Sequence, residues 1–100
     1  MKESEIQKQI LDYLALKRIF HYRQNSGAFD NGKGGFYRFG VLGAPDIICV
    51  IKGQYVGIEV KAPKGKQSDH QKGFQQALEA AGGRYVLAYS LEDVMNVGLI

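Results

Sequence analysis

Asp46 follows Pro45, and Glu59 and Lys61 stand two apart in the segment GIEVKAP, residues 57–63. Side chains alternate across a strand, so Glu59 and Lys61 share one face while Ile58 and Val60 point the other way. Taken alone, such a pair is a solvated ion pair of little energetic weight. An aspartate after a proline is likewise a common turn residue. The neighbours change both readings. DIICVI (46–51) and YVGIEVK (55–61) flank Lys52-Gly53, a credible hairpin turn. With a two-residue loop, Ile51 pairs with Gln54, and counting back sets Asp46 opposite Glu59. One face then holds Ile47, Cys49, Ile51, Val56, Ile58 and Val60, all apolar. The other holds Asp46, Ile48, Val50, Tyr55, Gly57, Glu59 and Lys61. A three-residue loop would separate Asp46 from Glu59 and mix the apolar set, so the pattern selects the first register. Two carboxylates facing each other across a ladder repel. A divalent cation between them removes that cost, and Mg²⁺ takes one or two carboxylates together with waters and phosphate oxygens. Lys61 on the same face can orient or deprotonate a water, or stabilise charge on a phosphate. The chemistry these residues suit is metal-assisted phosphodiester hydrolysis.

The elements that must position them are legible in outline. Residues 4–17 carry Ile6, Ile10, Tyr13, Leu14 and Ala15 at the spacing of an amphipathic helix, with Ser4 as its N-cap. Residues 19–24 alternate as a strand. Residues 25–45 hold six glycines and read as a long mobile loop broken by aromatics, the kind that is functional or disordered. Residues 68–81 form a second helix, opened by a capping box of Ser68 and Gln71 and ended by Gly82-Gly83, with Phe74, Ala77, Leu78 and Ala81 as its apolar face. A strand follows at 84–89, and Ser90 caps a short last helix. The order α, β, hairpin, α, β, α predicts an α/β fold, a mixed sheet with helices packed against it.

A chain of 100 residues is one domain, 1–100, and its 45% hydrophobic content predicts a packed core. No apolar run reaches bilayer-spanning length, and no N-terminal signal pattern is seen. A single cysteine, Cys49, excludes a disulfide framework within the chain and suits a reducing compartment, so a cytoplasmic location is expected. A net charge of +3 and a pI near 9.0 are compatible with a polyanionic partner.

Pro45-Asp46 followed by Glu59-Val60-Lys61 matches the PD-(D/E)xK nuclease signature. With SEIQKQILDYL, FGVLGAPDII, GIEVKAPKGKQSDHQKGF and GGRYVLAYSLEDV, nearly the whole chain resembles a stand-alone VRR-NUC domain. The resemblance implies a restriction-endonuclease-like αβββαβ core, dependence on Mg²⁺ or Mn²⁺, and hydrolysis of DNA. It makes Asp46 and Glu59 metal ligands, joined by the backbone carbonyl of Val60, and Lys61 the catalytic lysine. The family's helix-borne acid matches Glu5 and its helix-borne glutamine matches Gln71. Stand-alone members are similar to Holliday junction resolvases, two-fold dimers acting on branched DNA in repair. A structure-specific endonuclease is therefore expected. The alternative is a non-cleaving DNA-binding module, or a nuclease subunit of a larger repair or restriction complex. The intact acid, acid, lysine set favours cleavage.

Each assignment has a plainer competitor. Glu5 in a first helical turn complements the helix dipole, and Gln71 serves the capping box. His21 and His70 read as structural or surface residues. Lys33, Arg38, Lys64, Lys66 and Lys72 are solvated charges or, given their place along the loop and after the active strand, phosphate contacts. Phe36, Tyr37 and Phe39 serve either as core or as a wedge at a DNA branch. At the chain's end, Val97, Leu99 and Ile100 extend past the last helix's stripe. They leave exposed apolar surface that marks an interface, for which a two-fold homodimer is the simplest closed solution; the plainer competitor folds them back on the first helix.

Overall fold

The computed structural model describes residues 1–24, 27–30, 36–39 and 41–98; for 27–30 and 36–39 it describes the backbone. The first helix, α1 (Glu3–Leu16), starts ahead of the expected Ser4 cap. Glu5 Oε1 accepts from the Lys2 N–H at 3.1 Å, and this satisfies a donor that would otherwise be orphaned at the helix start. Its stripe of Ile6, Ile10 and Leu14 is buried.

Strands β1 (Phe20–Arg23), β4 (Ile47–Ile51), β5 (Gln54–Val60) and β6 (Arg84–Ala88) form a four-stranded mixed sheet in the order β1-β4-β5-β6. The first three are antiparallel neighbours, and β6 runs parallel to β5. A parallel neighbour needs a crossover. Helix α2 (Asp69–Ala80) supplies it. The β4–β5 register is Ile51 with Gln54 through Ile47 with Ile58, as the apolar pattern requires. Lys52 and Gly53 both have positive φ, at 51° and 78°, which is the backbone of a type I′ hairpin turn.

One sheet face carries Ile47, Cys49, Val56, Ile58, Val60, Val86 and Ala88. These pack with the α1 stripe and with Val94 of helix α3 (Leu91–Asn96) to make the core. Helix α2 packs against β6. Its apolar face is narrower than the spacing implies: Phe74 and Leu78 are half-buried, whereas Ala77 and Ala81 are exposed. Leu78 seats on Gly83, where an added Cβ would lie 2.2 Å from its Cδ1. With its strongest contact made at one strand, the helix does not use its whole stripe.

Two further expectations are corrected. The stretch read as a mobile loop contains a second, two-stranded sheet. Strands β2 (Gly27–Asp30) and β3 (Phe36–Phe39) pair antiparallel, from Gly27 with Phe39 to Asp30 with Phe36. The aromatics of 36–39 favour strand, and three of the six glycines fall in the sequence between the two strands. At the other end, Val97 does not extend past the core. It is half-buried against the core cluster, and its carbonyl accepts from Arg84 Nη2 at 2.6 Å. Leu99 and Ile100 lie outside the described residues. Ser90 caps α3 as expected, its Oγ accepting from the Asp93 N–H at 3.3 Å. No helix among the described residues is long and apolar enough to cross a membrane.

Candidate active site

The face of the sheet opposite the core carries the candidate site at the end of the hairpin distant from its turn. Pro45 is buried on Gly57: a Cβ there would lie 2.4 Å from Pro45 Cγ, so only glycine admits the ring. This seat fixes where β4 begins. Asp46 follows at once, and its carbonyl accepts from the Gln24 N–H at 2.8 Å. Its Oδ2 accepts from the Val60 N–H, also at 2.8 Å, which ties the carboxylate of one strand to the backbone of the next. Upstream, the 41–44 turn passes close to the start of α2. Gly43 has φ +79°, and an added Cβ would lie 2.3 Å from the carbonyl oxygen of His70.

Glu59 is opposite Asp46 by continuation of the register and is only 2% exposed, the one buried charged residue among those described. Its Oε2 accepts from Gln71 Nε2 at 3.0 Å and lies 3.4 Å from Lys61 Nζ. Its Oε1 is buried with no hydrogen-bond partner. Burial, reinforced by the facing Asp46 and opposed by Lys61, pushes the Glu59 pKa up to about 8. Such an orphaned acceptor normally costs about 1–3 kcal/mol, more if charged. In a native fold it calls for a partner.

Gln71 is held from behind. Its Oε1 accepts from the Ser68 N–H at 2.8 Å, and its own N–H donates to Ser68 Oγ at 3.2 Å. The capping box and the contact with Glu59 are therefore made by one side chain. Lys61 lies beneath the 62–65 turn, where an added Cβ at Gly65 would lie 3.3 Å from Lys61 Cβ and 3.5 Å from its Cδ. Tyr89 Oη anchors that turn by donating to the Gly65 carbonyl at 3.0 Å. The turn thus lies along the lysine stem while Nζ stays near Glu59.

Asp46, Glu59, Lys61 and Gln71 are brought together. Glu5 is not: it is exposed and engaged with Lys2, and α1 packs on the core face. Among the described residues no three His, Cys, Asp or Glu side chains gather into one group. Lys64, Lys66 and Lys72 are exposed on the β5–α2 connection and the first turn of α2, continuing from Lys61. Lys33 and the side chains of Arg38, Phe36, Tyr37 and Phe39 lie outside the described residues. His21, on β1, has Nδ1 2.7 Å from the Ile19 carbonyl, and His70 is exposed.

Tyr85 was not singled out by sequence and belongs to the site. Parallel pairing with β5 sets it beside Gly57, on the carboxylate face. Its hydroxyl is buried without a well-formed hydrogen bond, although nearby Gln67 partly favours the phenolate. Burial, with the charges of Glu59 and Asp46, pushes its pKa up to about 12. The available signal was the alternation of RYVLAY, once the crossover fixes the parallel register.

The donors offered here are carboxylate oxygens, one of them unpartnered, beside a primary ammonium. That set fits a hard divalent cation such as Mg²⁺ or Mn²⁺. No protein-family model matches the chain, and no curated protein matches it.

Proposed function

We propose that the chain is a Mg²⁺- or Mn²⁺-dependent endodeoxyribonuclease of the PD-(D/E)xK kind, similar to VRR-NUC domains and acting on branched DNA such as Holliday junctions. The observation that carries this reading is the unpartnered, buried Oε1 of Glu59 facing Asp46, with Lys61 on the same carboxylate. An isolated pair of this kind is costly, and a cation is what makes it useful. The order α, β, β, β, α, β around the four-stranded sheet, with β2–β3 inserted and α3 appended, also suits it.

Asp46, Glu59 and the Val60 carbonyl are the groups that would hold the ion. When bound, it supplies Lewis acidity toward a phosphate oxygen and lowers the pKa of a water. Gln71 keeps Glu59 Oε2 occupied, which leaves Oε1 free. Lys61, with Nζ beside Glu59, donates to charge developing on the phosphate or orients the attacking water. Tyr85 is buried close enough to both carboxylates to feel their charge. Lys64, Lys66 and Lys72 supply phosphate contacts that position the backbone without reading sequence. A homodimer would present two such sites to a four-way junction.

The test is incubation of supercoiled plasmid and of a labelled four-way junction with Mg²⁺ or Mn²⁺, with and without chelator. Cleavage that needs metal and is lost in Asp46→Asn and Glu59→Gln is expected. Cleavage in chelator, or near wild-type rates in either variant, contradicts the reading. Binding without cleavage moves the chain to the class of DNA-binding modules.

A further inference from the structure

The carboxylate face continues toward the hairpin turn, and there it is open. Phe20 and Tyr22 of β1 pair with Val50 and Ile48 of β4, and Tyr55 of β5 faces Val50. Alternation puts Phe20, Tyr22, Val50 and Tyr55 on the face that bears Asp46 and Glu59. Helix α2 packs on the β6 side, and no described element covers the β1 side of this face. Phe20 is 66% exposed, Tyr22 47% and Val50 41%. The Phe20 and Tyr22 rings lie edge to face with centroids 6.3 Å apart. Two aromatic rings adjacent on an edge strand, left uncovered by the described residues, mark a contact surface.

Charge narrows the occupant. Arg18 precedes the patch and Lys52 sits in the β4–β5 turn, both exposed, while Arg23, which ends β1, pairs with Ile47 and so alternates to the other face. No acidic residue occurs in 18–24 or in 47–58. A surface of exposed aromatics bordered by cations suits a ligand that offers both flat rings and phosphates. Duplex DNA offers phosphates but keeps its ring faces stacked inside. Unpaired nucleotides offer both, and stacking on such rings tolerates any base. The patch is also continuous with the candidate site. Tyr22 pairs with Ile48, and the next same-face position along β4 is Asp46, about 7 Å further on at ordinary strand rise.

We propose that Phe20 and Tyr22 form a stacking platform for unpaired nucleotides, which leads a single strand along the sheet toward Asp46 and Glu59. That these nucleotides belong to a substrate rests on the nuclease reading; the binding does not. Of the branched DNA proposed above, the platform takes the unpaired segment next to the branch.

The chain has no tryptophan, so Phe20→Trp places a single reporter in the platform. Metal-free protein with this substitution is titrated with an oligothymidylate and with a blunt duplex of equal length. Saturable quenching by the single strand, with none by the duplex, is expected. In parallel, Phe20→Ala combined with Tyr22→Ala should raise the single-strand Kd by about tenfold or more, while the duplex Kd stays unchanged. Both side chains are exposed, so the melting temperature should hold, and it is measured alongside. Equal quenching by duplex, an unchanged single-strand Kd, or sedimentation showing that the double substitution splits a dimer would overturn the platform, the last by assigning the patch to a second copy. Wild-type plasmid nicking with metal is scored separately. Quenching without nicking refutes the nuclease reading alone, and nicking without quenching refutes the platform alone.

Discussion

Gln71 Nε2 donates to Glu59 Oε2 at 3.0 Å while its Oε1 accepts from the Ser68 N–H at 2.8 Å, so a single amide joins the start of α2 to the carboxylate near the end of β5. Helix capping and ligand orientation are thereby separable by substitution. Gln71→Ala removes both and should lower stability by roughly 1 kcal/mol together with the cleavage rate. Gln71→Glu can keep the reach back to Ser68 but sets a like charge against Glu59. Its helix content should match wild type by circular dichroism while cleavage falls. Equal cleavage by Gln71→Glu and wild type would show that the amide does not orient Glu59.

The raised pKa of Glu59 has a signed consequence for stability. Its folded value of about 8 lies above the ordinary 4.5, so between these values the folded state holds more protons than the unfolded state. Stability of the metal-free protein should therefore fall as pH rises from 4.5 to 8. Urea unfolding across that window checks this. Glu59→Gln should flatten the dependence, and saturating Mn²⁺ should also flatten it by favouring the ionised form. A Glu59→Gln profile parallel to wild type would assign the dependence to another group.

Gly57→Ala tests the seat of Pro45. The new methyl would meet the Pro45 ring at 2.4 Å, so the ring must move and Asp46 with it. Overpacking of this kind costs roughly 1–3 kcal/mol. Thermal unfolding should show that loss, and Mn²⁺ affinity should drop in the same variant. Destabilisation with unchanged metal affinity would separate the proline from the site.

Phosphate contact by the connection after β5 is read from salt dependence. Lys64→Ala with Lys66→Ala should reduce the slope of log K against log salt by about one unit per lost contact. An unchanged slope would leave these lysines as solvated charge.

The reach of the sequence follows physical lines. The β4–β5 register was legible because burying Ile47, Cys49, Val56, Ile58 and Val60 on one face admits one pairing, and Lys52-Gly53 supplies the turn. Asp46 opposite Glu59 followed from it; Gln71 was legible from the residues as a capping-box partner, and its place beside Glu59 came only from a matched motif position. The β2–β3 hairpin was not legible, because its glycine-rich connection masks two four-residue strands. Glu5 matched a motif position, yet Lys2 lies one turn before it and takes its oxygen. Tyr85 required the parallel pairing, a long-range fact that local pattern does not carry. Val97 was counted as surplus because its packing on the core and the bond its carbonyl accepts from Arg84, thirteen residues away, are long-range contacts that local pattern does not carry.

The claim that Asp46 and Glu59 form a divalent cation site is tested most directly by calorimetric titration of Mn²⁺ into wild type, Asp46→Asn, Glu59→Gln and Lys61→Ala, without DNA. Wild type should show a saturable site that is lost in both carboxylate variants and retained in Lys61→Ala, whose role is with phosphate and water. Mn²⁺ binding by Asp46→Asn and Glu59→Gln that equals wild type would contradict it.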